Sequence, residues 1–404
     1  MGDEVISSED VDKVRGVVAG LGRAWTPMDV AQALTSIGRV ASDSTVLTVV
    51  EELRRTSSGA GRLEPLLALD GVTDVLVNGP DQVYIDRGRG LELTDTTFTS
   101  PDELRSLAVR LAAGVGRRLD DGCPWVDARL ADGTRVHAIL DVLAKPGTCL
   151  SLRVPARHRM SLDDWVMASS MTAETAHLLE QVVVRKLAFL VTGGTGSGKT
   201  TLLASLLGCV PAHERIVIVE DSRELSPDHE HVVSLEARAA NAEGRGQVSL
   251  TDLVRQSLRM RPDRVVLGEV RGAELRDMLM ALNTGHEGGC GTVHANGVQE
   301  VPARLEALAA LSGMNRPAAH AQVAAAFHLV LHLVRRPKGR RLAQIGVFEH
   351  VDGCAVVTQA LVFDEDLVCT PGPGAERLGD LVGEQTVSRV VQGQGRPRRA
   401  RRAA

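Results

Sequence analysis

The run Gly193-Gly194-Thr195-Gly196-Ser197-Gly198-Lys199-Thr200 constrains this chain more than any other stretch. It fits the spacing G-x-x-x-x-G-K-[ST] at every fixed position. It also sits between an apolar run, Leu187 to Val191, and a helix-compatible one, Thr201 to Leu207. Strand, glycine loop and helix are the context a phosphate cradle needs. The strand delivers the loop, and glycines let successive N–H groups curl around phosphate oxygens. The helix N-terminus adds its positive partial charge. Gly194, Thr195, Gly196, Ser197, Gly198, Lys199, Thr200 and Thr201 are therefore the candidate residues for binding a nucleoside triphosphate. Lys199 is expected to reach the β- and γ-phosphates and the Thr200 hydroxyl to ligate Mg²⁺.

With 404 residues, 44% of them hydrophobic, the chain has room for two or three domains with cores of their own. Aromatic residues make up only 2%, so few flat rings are left for stacking bases. The net charge of −5 also counts against a chain built to attract polyanions, so nucleic acid is not an expected partner. The exception is the tail Arg396-Pro397-Arg398-Arg399-Ala400-Arg401-Arg402, read as a solvated end, with contact to acidic lipid or nucleic acid as the alternative. The six cysteines form no C-x-x-C pair, which argues against a tetrathiolate zinc site. The start Met1-Gly2-Asp3-Glu4 is acidic where a signal peptide is basic, and no apolar run approaches the roughly 18 residues of a membrane span. A cytoplasmic protein is expected, with any membrane contact peripheral.

Residues 1–61 read as a helical N-terminal appendage, with Thr26-Pro27 as a helix start. Residues 62–157 read as a smaller α/β domain. Strands are expected at Val72 to Val77 and Gln82 to Ile85, around the turn Asn78-Gly79-Pro80-Asp81. A helix from Pro101 to Ala113 follows, then a strand, Asp-Gly turn, strand pattern over Asp127 to Ile139. Residues 158–185 read as a helical linker, and 391–404 as a basic disordered tail. Over 186–390 strands and helices alternate, as in a parallel sheet covered by helices.

Carboxylates follow two further strand candidates. Arg215 to Val219 ends in Glu220-Asp221, and Arg264 to Leu267 leads into Gly268-Glu269-Val270-Arg271. Acidic groups at the carboxyl ends of sheet strands sit where open α/β folds bind ligands. Glu220 suits orientation of the water that attacks a γ-phosphate, and Glu269 suits a Mg²⁺–water shell. Farther on, His286 and His294 bracket Gly288-Gly289-Cys290-Gly291. The two histidines are expected to sense the γ-phosphate or contact a subunit. Zinc on His286, Cys290 and His294 is the weaker alternative, because no fourth ligand is evident.

These blocks, in this order, resemble the type II/IV secretion-system ATPases, and among them the branch that assembles tight-adherence (Flp-type) pili, with its conjugation-associated relatives. The matching blocks are Gly193 to Thr200, Val219 to Leu225, Leu258 to Glu269, and Gly285-His286 with Thr292-Val293-His294-Ala295-Asn296. The cysteine-bearing insertion of many pilus-extension ATPases is absent. The resemblance implies a RecA-like P-loop ATPase core that takes ATP and Mg²⁺. It implies Glu220 and Glu269 as catalytic carboxylates, Glu269 with Thr200 around the metal, and His286 and His294 as the histidine-box residues. It also implies arginines from the smaller domain on the phosphates, matched here by Arg135 and Arg153. The implied assembly is a hexamer on the inner face of the inner membrane, acting on a membrane platform protein in pilus assembly or secretion. A DNA-translocating, conjugation-type ATPase is the alternative, and a slow nucleotide-binding regulator a third reading.

Overall fold

The computed structural model describes residues 8–19, 26–42, 44–50, 59–88, 90–155, 159–238, 240, 245–336 and 339–393. The chain divides into two compact units, Met1–Arg157 and His158–Ala404.

The first unit opens with the helices Ser8–Ala19 and Pro27–Ser36, followed by a helical stretch over 44–50. Val11, Val14, Val30, Leu34 and Val49 form a small core between them. Thr26 caps its helix as the Thr-Pro pair suggests: its hydroxyl accepts from the Asp29 N–H, and the Asp29 carboxylate accepts from the Thr26 N–H at 2.7 Å. Next come β1 (Asp74–Asn78), β2 (Val83–Asp86), β3 (Leu91–Leu93), β4 (Trp125–Arg129), β5 (Arg135–Ile139) and β6 (Cys149–Arg153). They make one antiparallel six-stranded sheet in the order β3-β2-β1-β6-β5-β4. The helix Pro101–Gly114, capped by Ser100, shares a core with the sheet through Leu104, Leu107, Ala108 and Leu111.

The second unit holds β7 (Phe189–Gly193), β8 (Ile216–Glu220), β9 (Val232–Glu236), β10 (Arg264–Leu267), β11 (Cys290–Val293), β12 (Leu329–Arg336), β13 (Gly339–Val351), β14 (Cys354–Phe363) and β15 (Cys369–Pro371). Their order is β15-β14-β13-β12-β7-β11-β10-β8-β9. The strands from β12 to β9 in that order are parallel. Every residue of β7, β8, β10 and β11 is buried, as expected of parallel strands covered on both faces. One face packs on the helices Ala173–Val184, Lys199–Leu207 and Ala375–Val382. The other packs on Glu274–Leu282, Val301–Leu311 and Arg316–Ala326.

Two readings change. Segment 158–185 is helical at Leu162–Met167 and Ala173–Val184, but Trp165, Leu178, Leu179 and Val182 are buried in the second unit's core, so it is not a free connector. Strand–helix alternation also stops after β12, where β13, β14 and β15 extend the sheet antiparallel. The signal was present. Asp352-Gly353 joins β13 to β14 with both residues at positive φ (49° and 77°), the turn chemistry of a tight hairpin. Of the basic tail, residues 394–404 lie outside the described residues.

The amino edge of the parallel sheet carries a buried ion network. Arg264, 2% exposed, donates through Nε to Glu214 Oε2 at 2.7 Å and through Nη2 to the Val183 carbonyl at 2.9 Å. Lys186 reaches the other Glu214 oxygen at 3.1 Å. Gly288 has no room for a side chain, because a Cβ there would collide with the Arg264 guanidinium. Arg264→Ala leaves a buried carboxylate with one partner, and the expected cost is about 3–5 kcal/mol, read as a fall in Tm.

Candidate active site

The β7–helix connection folds as the glycine pattern requires. Gly193, Gly196 and Gly198 have φ of 149°, 70° and 96°, values that disfavour any residue with a Cβ. At Gly193 a Cβ would also strike the Leu333 carbonyl of β12. Lys199, 8% exposed, folds back so that Nζ donates to the Gly193 and Gly194 carbonyls, each at 3.0 Å. Burial holds its ammonium below the ordinary lysine value, against the pull of the Glu269 and Glu224 carboxylates.

Strand order then decides which groups meet. Because β11 and β10 lie between β7 and β8, the residues just past these strand ends line up across the sheet. His294, after β11, has Nδ1 3.4 Å from Lys199 Nζ and Nε2 3.2 Å from Glu269 Oε1. Arg271 donates to Glu269 Oε2 and to Asp221 Oδ2, both at 2.6 Å. A row of charged and ionisable groups thus runs Lys199, His294, Glu269, Arg271, Asp221. Burial alone raises the Glu269 carboxyl, but the bond to Arg271, with His294 and Lys199 near, outweighs it, and the group titrates below the ordinary glutamate value. His294 is held below the usual imidazole value by burial and by Lys199, against the pull of Glu269. Glu274 pins the turn that carries Glu269 and Arg271, accepting from the Arg271 and Gly272 N–H groups at 2.6 and 2.7 Å.

Glu220 sits at the tip of β8, 3% exposed. Its Oε1 accepts from the N–H groups of Glu224 and Leu225, both at 3.0 Å. A Cβ at Gly268 would stand 2.5 Å from the Glu220 Cγ, so the glycine makes space for this carboxylate. The turn it shapes brings Glu224 Oε2 to 3.5 Å from the Thr200 hydroxyl. Glu224 was not singled out in the sequence. Its spacing of four from Glu220, on the turn after the strand, was the available signal.

His286 is not with this group. It precedes β11, whereas the phosphate loop and His294 follow the carboxyl ends of parallel strands, so the length of β11 separates the two histidines. The surrounding glycines serve close packing instead. Gly288 faces Arg264, Gly289 faces Leu282 and the Val265 carbonyl, and Gly291 faces the Leu267 carbonyl. The same placement spreads the candidate zinc set along β11. Arg135 and Arg153 lie in the first unit, directly paired across β5 and β6, and Arg135 also holds Asp127 through Nε at 3.0 Å.

Residues 56–363 match the family described as type II/IV secretion system protein. A Mycobacterium tuberculosis protein provisionally named for conjugal transfer is 53% identical over 318 residues, covering 77% of this chain and 90% of that one. The type IV secretion system protein PtlH of Bordetella pertussis is 35% identical, over 58% of this chain and 75% of that one. The solved structure of the pilus retraction motor PilT with bound ADP shares the fold, with a TM-score of 0.51 at 18% identity over 82% of this chain and 88% of that one. The phosphate loop, the parallel core and the family match agree, and the chain belongs to the type II/IV secretion system family as a RecA-like P-loop ATPase.

Proposed function

We propose that the protein is an ATP-hydrolysing motor that drives pilus assembly or secretion through a membrane platform protein, working as a hexamer on the cytoplasmic side of the inner membrane. Among the described residues no helix is long and apolar enough to cross a membrane, so a membrane role would pass through partners or surface contact. The row Lys199–His294–Glu269–Arg271–Asp221 carries the reading, because it gathers at one sheet edge the charges that triphosphate cleavage needs.

In this reading the loop N–H groups and Lys199 hold the phosphates. The Thr200 hydroxyl and the Glu224 carboxylate, 3.5 Å apart, offer oxygen donors that would suit a hard cation such as Mg²⁺. Glu269 has both oxygens engaged by Arg271 and His294, so it would act on the ion through its water shell rather than directly. The ion would offset charge on the bridging and terminal phosphate oxygens. Glu220, whose backbone bonds shape the turn, is the proposed carboxylate for orienting the attacking water. His294 reads the γ-phosphate through Lys199 and Glu269. His286, at the far end of β11, is assigned packing or a subunit contact. Arg135 and Arg153 are proposed phosphate partners on the strength of the family resemblance.

A second reading, DNA translocation, is favoured by relatives named for conjugal transfer. Turnover with and without duplex DNA separates the two. The motor reading expects equal rates at low salt. Stimulation that collapses as salt rises would support the translocase.

A further inference from the structure

Between β12 and β13 the chain reads Arg335-Arg336-Pro337-Lys338-Gly339-Arg340-Arg341, a basic cluster distant in sequence from the phosphate loop. The fold brings two of these arginines onto that loop. β12 pairs with β7 as far as Leu333 opposite Gly193, then runs on past the sheet, and β13 returns beside it. Arg335 and Arg340 are direct partners across this hairpin, so their side chains share a face. Arg340 Nε donates to the Gly196 carbonyl at 3.0 Å. Its Cδ stands 3.0 Å from where a Cβ of Gly198 would be, and Arg335 Nη1 stands 3.1 Å from the corresponding point on Gly196.

We propose that Arg340, with Arg335 beside it, is a positioning residue for the nucleotide, bracing the phosphate loop at Gly196 and adding positive charge behind the cradle. The inference rests on the phosphate-loop reading above and deepens it. The geometry carries it. A Gly196 carbonyl fixed outward by a guanidinium keeps that oxygen turned from the anion, so the loop is held in the conformation that presents its N–H groups to a phosphate.

The test is equilibrium titration of the full chain with Mg-ATP and Mg-ADP, on wild type, Arg340→Gln, Arg340→Lys and Arg335→Gln, with Tm recorded for each. A lost charge-assisted hydrogen bond is expected to raise the Kd of Arg340→Gln about tenfold. Arg340→Lys keeps the charge without the planar donor and is expected to fall in between. KM should follow Kd, with kcat moving less, and the gap to wild type should narrow at high salt. Should Arg340→Gln fail to fold, the lysine variant and Arg335→Gln still decide the matter. Kd values within twofold of wild type, in variants of lowered Tm, would show the hairpin to be structural only and overturn the proposal. A wild-type chain that does not bind Mg-ATP overturns the phosphate-loop reading itself, and this inference with it.

Discussion

Lys199→Ala is expected to lower ATP turnover by about 100-fold to 1000-fold, with binding of Mg-ATP weakened as well. Lys199 is the buried cation of the loop, tied to the Gly193 and Gly194 carbonyls and next to His294. Those neutral partners release it at little cost, so it can swing to a phosphate. Without it the transferring phosphoryl group loses its nearest positive charge from the loop, and His294 loses the group that connects it to the nucleotide. The fold should survive, because the surrounding glycines, β7 and the helix Lys199–Leu207 are held by backbone bonds and by Leu202, Leu203 and Leu206 in the core. Steady-state turnover beside a thermal melt separates lost chemistry from lost folding.

Glu269→Gln should split binding from chemistry. The substitution preserves shape and removes one negative charge from the centre of the row. Arg271 then keeps Asp221 as its charged partner, and the Mg²⁺ water shell loses a carboxylate. Turnover is expected to fall by about 100-fold or more while the Kd for Mg-ATP stays within a few-fold, the signature of an interaction that matters mainly in the transition state. A parallel loss of binding would instead make Glu269 a ground-state ligand.

The phosphate loop was legible because its chemistry demands fixed residues at fixed spacing, and Gly193, Gly196 and Gly198 adopt the backbone that spacing implies. The capped helices at Thr26 and Ser100 were legible for a similar reason, since a cap acts over three residues. Groups that depend on strand order were less so. That His294 would stand between Lys199 and Glu269 follows only from β11 lying between β7 and β10. His286 was grouped with His294 because the two are close in sequence, yet a buried strand four residues long puts them at opposite edges. Arg264 read as an ordinary strand residue, and nothing local announced that Glu214 and Gly288 make its pocket. Arg340 is 144 residues from the glycine whose carbonyl it holds. Glu220 and Glu224 fall between these cases. The motif located Glu220, and only the turn geometry showed that it is buried in backbone bonds while Glu224, in the same block, faces Thr200.

Single-turnover hydrolysis of Mg-ATP labelled on the γ-phosphate tests the central claim most directly. The purified full chain should retain the nucleotide and release labelled phosphate, and the Lys199→Ala chain should release it about 100-fold more slowly or slower still. Equal release from both chains, or no nucleotide held by the wild type at saturating concentration, would contradict the account.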